Sequence, residues 1–176
     1  MELLKAKEPK MTLAPVKEEM TTVENMKSLL QYCDLELFEN EDIRKEFTSL
    51  FEDGRFRDKY LLWAVHDGYE FDEIFSPDFP KETIEKGLEE AETRPSNLGR
   101  CAEAGLLLEN ISDEYPEDTT AYMYAMMSYL RWWADDCPRA TIYAVKALAK
   151  DNENSLGTLM FRALAQGVRS PAKADS

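Results

Sequence analysis

Between Thr119 and Gly167 the chain carries its densest apolar patterning, and this stretch limits what the remainder can pack against. The segment TTAYMYAMMSYLRWWADD repeats apolar residues at intervals of 3 and 4 through Met123, Met126, Leu130 and Trp133. That spacing predicts a helix with a wide apolar stripe. Asp118 or Thr119 is placed to cap its start, just after Pro116. Pro138 disfavours helical geometry in the residue before it, so the helix ends near Asp135 and Asp136. The same proline suits the first turn of a second helix, RATIYAVKALAKD. There Ala140, Ala144 and Ala147 share one face, and their small size permits close approach of the first helix. Asn152 is placed to cap a third helix, SLGTLMFRALAQ, with Leu156, Leu159, Met160, Ala163 and Leu164 on one side and Gly167 as its stop.

Two resemblances follow from these residues. Tyr124, Met127, Ser128, Ala140, Ala147, Leu148 and Asp151 stand where a tetratricopeptide-like repeat has its aromatic, aliphatic and small contact residues. Asn152 replaces the usual proline and Arg131 a usual tyrosine. No second copy appears at a period of about 34, so the expectation is one TPR-like pair within a larger helical domain, not a solenoid. The stretch also resembles the C-terminal part of the actinobacterial DUF4192 family. The carriers are Trp133, Asp135, Asp136, Arg139, Ala140, Ala144, Ala147, Leu148, Asp151, Leu156, Leu159, Ala163, Ala165, Gly167 and Pro171, with Phe56-Arg57-Asp58 fitting a helix start upstream. Ala134-Asp135-Asp136 departs from that family's Gly-Asp-Gly turn. The resemblance spans about residues 40 to 171 and brings no activity with it.

Upstream, residues 1–20 are Lys/Glu/Pro-rich without a period and are expected to form a flexible arm. Thr21 and Glu24 form a capping box for a helix with Val23, Met26, Leu29 and Leu30 on its apolar face. Asn40 opens a helix striped by Ile43, Phe47, Leu50 and Phe51, with Gly54 as its end. Residues 55–67 make a further helix ending at Gly68, and the two form a helical hairpin. Pro80 opens a helix with Ile84, Leu88 and Ala91 inward. The next helix holds Cys101, Gly105, Leu108 and Ile111, a pattern suggesting close contact, and 112–118 read as an acidic turn. The expected fold is all-α, about eight helices in a compact array of antiparallel hairpins. One domain covers 21–168, with a flexible tail over 169–176.

Charge is unevenly placed. The whole chain is −14, but residues 34–118 hold 25 acids against 9 bases, while 119–176 hold 5 against 7. A surface of this kind repels nucleic acid and anionic membranes and steers toward a protein partner with a basic surface. Solubility alone is the plainer meaning. An acidic half beside a slightly basic half also permits self-association. No apolar run reaches the length of a membrane span, and the N-terminus lacks the apolar core of a secretory signal. Three widely spaced cysteines, Cys33, Cys101 and Cys137, suit a reducing cytoplasm.

Residues 69–80 alternate Tyr69, Phe71, Phe75 and Phe79 with Glu70, Asp72, Glu73 and Asp78. One reading is a recognition loop with aromatic anchors and an acidic rim; the other is a connector whose rings plug the core edge. The candidate partner-binding residues are therefore Tyr69, Phe71, Asp72, Glu73, Phe75, Asp78 and Phe79, together with Trp132 and Trp133. As helix neighbours the two tryptophans face different ways, so that one is exposed for binding or both are buried by flanking helices. His66, the only histidine, has no partner at metal-ligand or triad spacing and reads as a helix-terminal residue. Asp135 and Asp136 lack the loop of a calcium site. A helical pocket around Asp135, Asp136 and Arg139 is the remaining enzymatic reading. The sequence leads to a non-enzymatic acidic interaction module with no cofactor or metal. The alternative is an acidic mimic of nucleic acid, such as a phage carries, that occupies a DNA- or RNA-binding protein.

Overall fold

The computed structural model describes residues 24–32, 34–93 and 98–171. The expected arm over 1–20, Thr21 and Val23, Cys33 and the end of the tail lie outside these residues. Among the described residues there are nine helices and no strand. They are α1 (24–32), α2 (Glu41–Leu50), α3 (Gly54–Val65), a single turn α4 (Phe71–Ile74), α5 (Lys81–Thr93), α6 (Leu98–Glu114), α7 (Ala121–Trp133), α8 (Cys137–Lys150) and α9 (Ser155–Ala165). Short 3-10 turns at Leu35–Glu39 and Pro116–Asp118 lead into α2 and α7.

The alanine face of the C-terminal half packs as its spacing predicts. α7 lies against α8, and α9 rests on both. Ala140, Ala144 and Ala147 are fully buried, and Ser128 Oγ donates to the Ala140 carbonyl at 2.7 Å across the α7–α8 contact. Such an approach is open only to small side chains. Pro138 sits in the first turn of α8, whose N-cap is Asp136. Both α7 and α9 end in a left-handed residue, Asp135 (φ 63) and Gly167 (φ 72). The Asp136 N–H bonds the Arg131 carbonyl, and the Val168 N–H bonds that of Ala163, closing the last turn each time.

Local signals fail at several boundaries. The cap of α7 is Thr120, not Asp118 or Thr119, because Pro116–Asp118 forms its own turn and Asp118 is taken by Arg44. The cap of α9 is Asn154, not Asn152; its Oδ1 accepts from Gly157 N–H at 2.8 Å. Gly54 does not end α2. It begins α3 behind the N-cap Asp53, since the Phe51–Asp53 turn closes with ordinary hydrogen bonds and needs no left-handed residue. α3 likewise stops at Val65, before Gly68. Beyond Gly167 the chain stays on the body: Ser170 is buried and its hydroxyl donates to the Trp133 carbonyl at 2.5 Å.

The N-terminal half is built on a run of touching rings. Phe38, Phe47, Phe51 and Phe56 follow one another at centroid separations of 5.3, 5.3 and 5.1 Å. Phe56 meets Phe75 at 5.9 Å, Phe75 meets Phe71 at 4.6 Å, and Phe71 meets Trp63 at 6.4 Å. Tilted and edge-on rings at these distances combine large apolar burial with favourable quadrupole geometry. α3 is the hub of the half, touching α5, α6 and α7, and Tyr60 at its centre donates to the Ala104 carbonyl at 2.7 Å.

Candidate functional site

The ring ladder decides what the 69–80 segment presents. Phe71 and Phe79 are buried, and Tyr69 and Phe75 are half-buried against the core. The rings are used as a plug, so Phe71 and Phe79 offer no surface to a partner. The carboxylates Glu70, Asp72, Glu73 and Asp78 remain outside. Asp72 is engaged by Lys27 Nζ at 3.0 Å, which ties the segment to α1.

The tryptophan pair divides. Trp133 is in the core, whereas Trp132 is half-buried and donates its indole N–H to the Val168 carbonyl at 2.9 Å. Tyr129 contacts both rings, at 5.6 and 6.1 Å. Trp132 thus holds down the chain after α9 and shows only part of its face.

Of the residues in the enzymatic reading, Asp136 has a structural role: it caps α8, and its carboxylate lies 3.7 Å from both Arg131 and Arg139. His66 Nε2 is 3.1 Å from Glu90, its Nδ1 accepts from the Gly68 N–H, and its ring lies on Tyr69. Among the described residues no three of His, Cys, Asp and Glu come together to hold a metal ion, and no helix is long and apolar enough to cross a membrane.

Not all of the acidity is surface. Asp118 binds Arg44 Nε at 2.7 Å, and Glu109 binds Arg131, each with little exposure. The outer face of α5 is different. Glu82, Glu85, Glu89 and Glu92 are all exposed and recur at intervals of 3, 4 and 3. At a rise of about 1.5 Å per residue they form one row, with about 5 Å of axis between neighbours. Lys81 reaches only Glu85 from this row, at 3.7 Å.

An apolar surface that the residue-by-residue reading missed lies on α8. Pro138, Ile142, Val145 and Ala149 are exposed, opposite the alanine face. Ile142 is 53% and Val145 48% accessible. Their 4-3-4 spacing was the available signal, hidden because the alanines on the other side satisfy the same period. On α9 Leu159 is 60% and Phe161 43% accessible, so Leu159 does not join Leu156 and Met160 inward as its period suggests. Leu159 instead lines an open cleft of about 300 Å³ between α9 and α3, with Arg57, Asp58 and Leu61 on the far wall. Arg57 is held in place there, stacked 3.6 Å from the Tyr122 ring centroid and donating to the Phe51 carbonyl.

No protein-family model, curated protein or solved structure matches the chain.

Proposed function

We propose that the chain is a non-catalytic helical protein–protein interaction module. What carries the reading is the outer face of α8, a heptad-spaced stripe of Pro138, Ile142, Val145 and Ala149 on a helix already buried by its other side. Exposed β-branched residues aligned along a helix form a continuous apolar strip, and such strips mark places where a partner helix lies down. The α7–α8 contact through Ala140, Ala144 and Ala147 fits a TPR-like pair, which presents helix faces in this way. The glutamate row on α5 adds long-range attraction for a partner with a basic surface. The reading involves no cofactor and takes the protein to act in the cytoplasm.

The test is capture of partners from cell lysate at low and at moderate salt, with the wild-type chain and an Ile142→Glu/Val145→Glu variant side by side. A protein retained at moderate salt by the wild type and lost by the variant is the expected result. Turnover of a small substrate by the purified chain would overturn the reading.

A second reading is favoured by one observation. Glu82, Glu85, Glu89 and Glu92 place negative charge at regular intervals along one line, as a nucleic-acid strand does. On this reading the protein occupies the basic groove of a DNA- or RNA-binding protein. The complex then dissolves as salt rises, and changing the four glutamates to glutamine removes it while Ile142→Glu/Val145→Glu leaves it intact.

A further inference from the structure

Lys59 lies on α3 with only 8% of its surface exposed. Its ammonium donates to the Ser76 carbonyl at 2.8 Å, the one hydrogen bond it makes among the described residues with three N–H donors to use. Among the described residues neither Lys59 nor Arg55, one turn earlier, forms an ion pair, in a chain where acids outnumber bases by 35 to 21. Burial, and then the Arg55 charge, lower the Lys59 pKa; Asp53 acts in the opposite sense. The Asp53 side chain is committed to the N-cap of α3, accepting from the Arg55 N–H at 2.9 Å. The Arg55 guanidinium is steadied by the Phe79 carbonyl at 2.7 Å.

Both cations border an open pocket of about 190 Å³ whose other walls are Met26, Leu50, Phe56 and Phe75, with the Asp53 carboxylate, held by the N-cap, at its edge. Two positive groups against one committed carboxylate thus border a largely apolar hollow. Apolar walls favour an apolar occupant, and an ammonium with a single partner among the described residues gains from an anion. A hollow of about 190 Å³ that opens to solvent has room for a short chain of carbons. A ligand that answers both demands has one compact anionic head and a short apolar tail.

We infer that this pocket binds a small organic carboxylate, its head against Lys59 and Arg55 and its tail against Met26, Leu50, Phe56 and Phe75. The inference is independent of the interaction surface on α8, which lies on another part of the fold. It involves binding alone and no covalent step.

The test uses the full chain with methyl-labelled methionine, the Met26 signal being assigned through Met26→Leu. Hexanoate, hexylammonium and 1-hexanol are titrated separately. Hexanoate is expected to shift the Met26 methyl resonance saturably, with the alcohol and the ammonium at least tenfold weaker. Lys59→Met, whose folding is checked by its thermal transition, abolishes the preference for hexanoate. If that variant does not fold, Arg55→Gln serves in its place and weakens hexanoate severalfold. Absence of a saturable shift with hexanoate, an equal response to hexanol, or unchanged affinity in both variants overturns the assignment.

Discussion

Arg131 grips Glu109 with two parallel hydrogen bonds, Nε to Oε1 at 2.6 Å and NH2 to Oε2 at 2.5 Å. The pair joins α7 to α6 at the edge of the core. Glu109 is buried, and the Arg131 pKa is raised, chiefly by the hydrogen bond to that carboxylate. The arginine thus meets an acid from the neighbouring helix.

Removing one partner strands the other. Arg131→Met leaves Glu109 buried without its counter-charge and should destabilise the fold by about 3 kcal/mol, the lower end of the range for buried pairs because solvent reaches the arginine. The double change Arg131→Met/Glu109→Met should recover much of that loss, since no isolated charge remains. Urea denaturation of the two single variants and the double variant measures the coupling.

Stability should fall at alkaline pH for an identifiable reason. Burial pushes the Cys101 thiol from 9.0 up to about 12, and burial together with the Glu109 charge pushes Tyr143 from 10.0 up to about 12. Both groups are neutral in the fold at pH values where the unfolded chain would ionise them. The native state therefore holds more protons than the unfolded state in that interval. Their contribution is whole below about pH 9 and is lost as pH rises toward 12. Denaturation midpoints measured across this range give the slope. In the same samples the half-exposed Cys137 should react readily with a thiol reagent, while Cys101, buried and donating to the Leu130 carbonyl, should react only on unfolding.

Two helical glycines should respond in opposite senses to alanine. A Cβ on Gly105 meets nothing closer than Leu130 Cβ at 3.8 Å, an ordinary contact. Gly105→Ala should stabilise the chain by about 0.5–1 kcal/mol through helix propensity. A Cβ on Gly157 lies 3.2 Å from both Ala147 Cβ and the capping Asn154 Oδ1. Neither neighbour is a flexible chain end, so Gly157→Ala should push α9 away from α8 and lose about 1–2 kcal/mol. Thermal unfolding of the two variants decides the sign of each.

The two faces of α8 should separate stability from binding. Ile142→Glu/Val145→Glu changes exposed positions and should alter folding stability by no more than about 0.5 kcal/mol per site. Ala144→Leu, on the fully buried face, should destabilise by about 1–3 kcal/mol through overpacking. Denaturation and partner capture, run on the same pair of variants, read both effects.

Helix identity was legible where a local rule had one solution. Ala140, Ala144 and Ala147 recur on one face, Pro138 breaks one helix and starts another, and Gly167 takes the left-handed stop. Boundaries were less legible where neighbouring residues offered the same chemistry. Thr119 and Thr120 both carry a capping hydroxyl, and Asn152 and Asn154 the same amide. The winner in each case depends on where the preceding turn closes. Gly54 misled because glycine marks a helix end reliably only when φ is positive, and there it is not.

By itself the sequence determined an all-helical chain, the alanine seam between α7 and α8, and the concentration of acid in the middle of the chain, because period, side-chain size and charge are local properties. Only the tertiary structure decided that Phe71 and Phe75 close a ring ladder, that Trp133 rather than Trp132 is core, and that Lys59 borders a hollow with Arg55. Each of these depends on what stands opposite, and the opposing residue comes from elsewhere in the chain: Phe56 for Phe75, Ser170 for Trp133, Met26 for Lys59. Periodicity tells which side chains share a face; it does not tell which face another helix will cover, since that depends on the summed packing of the whole core.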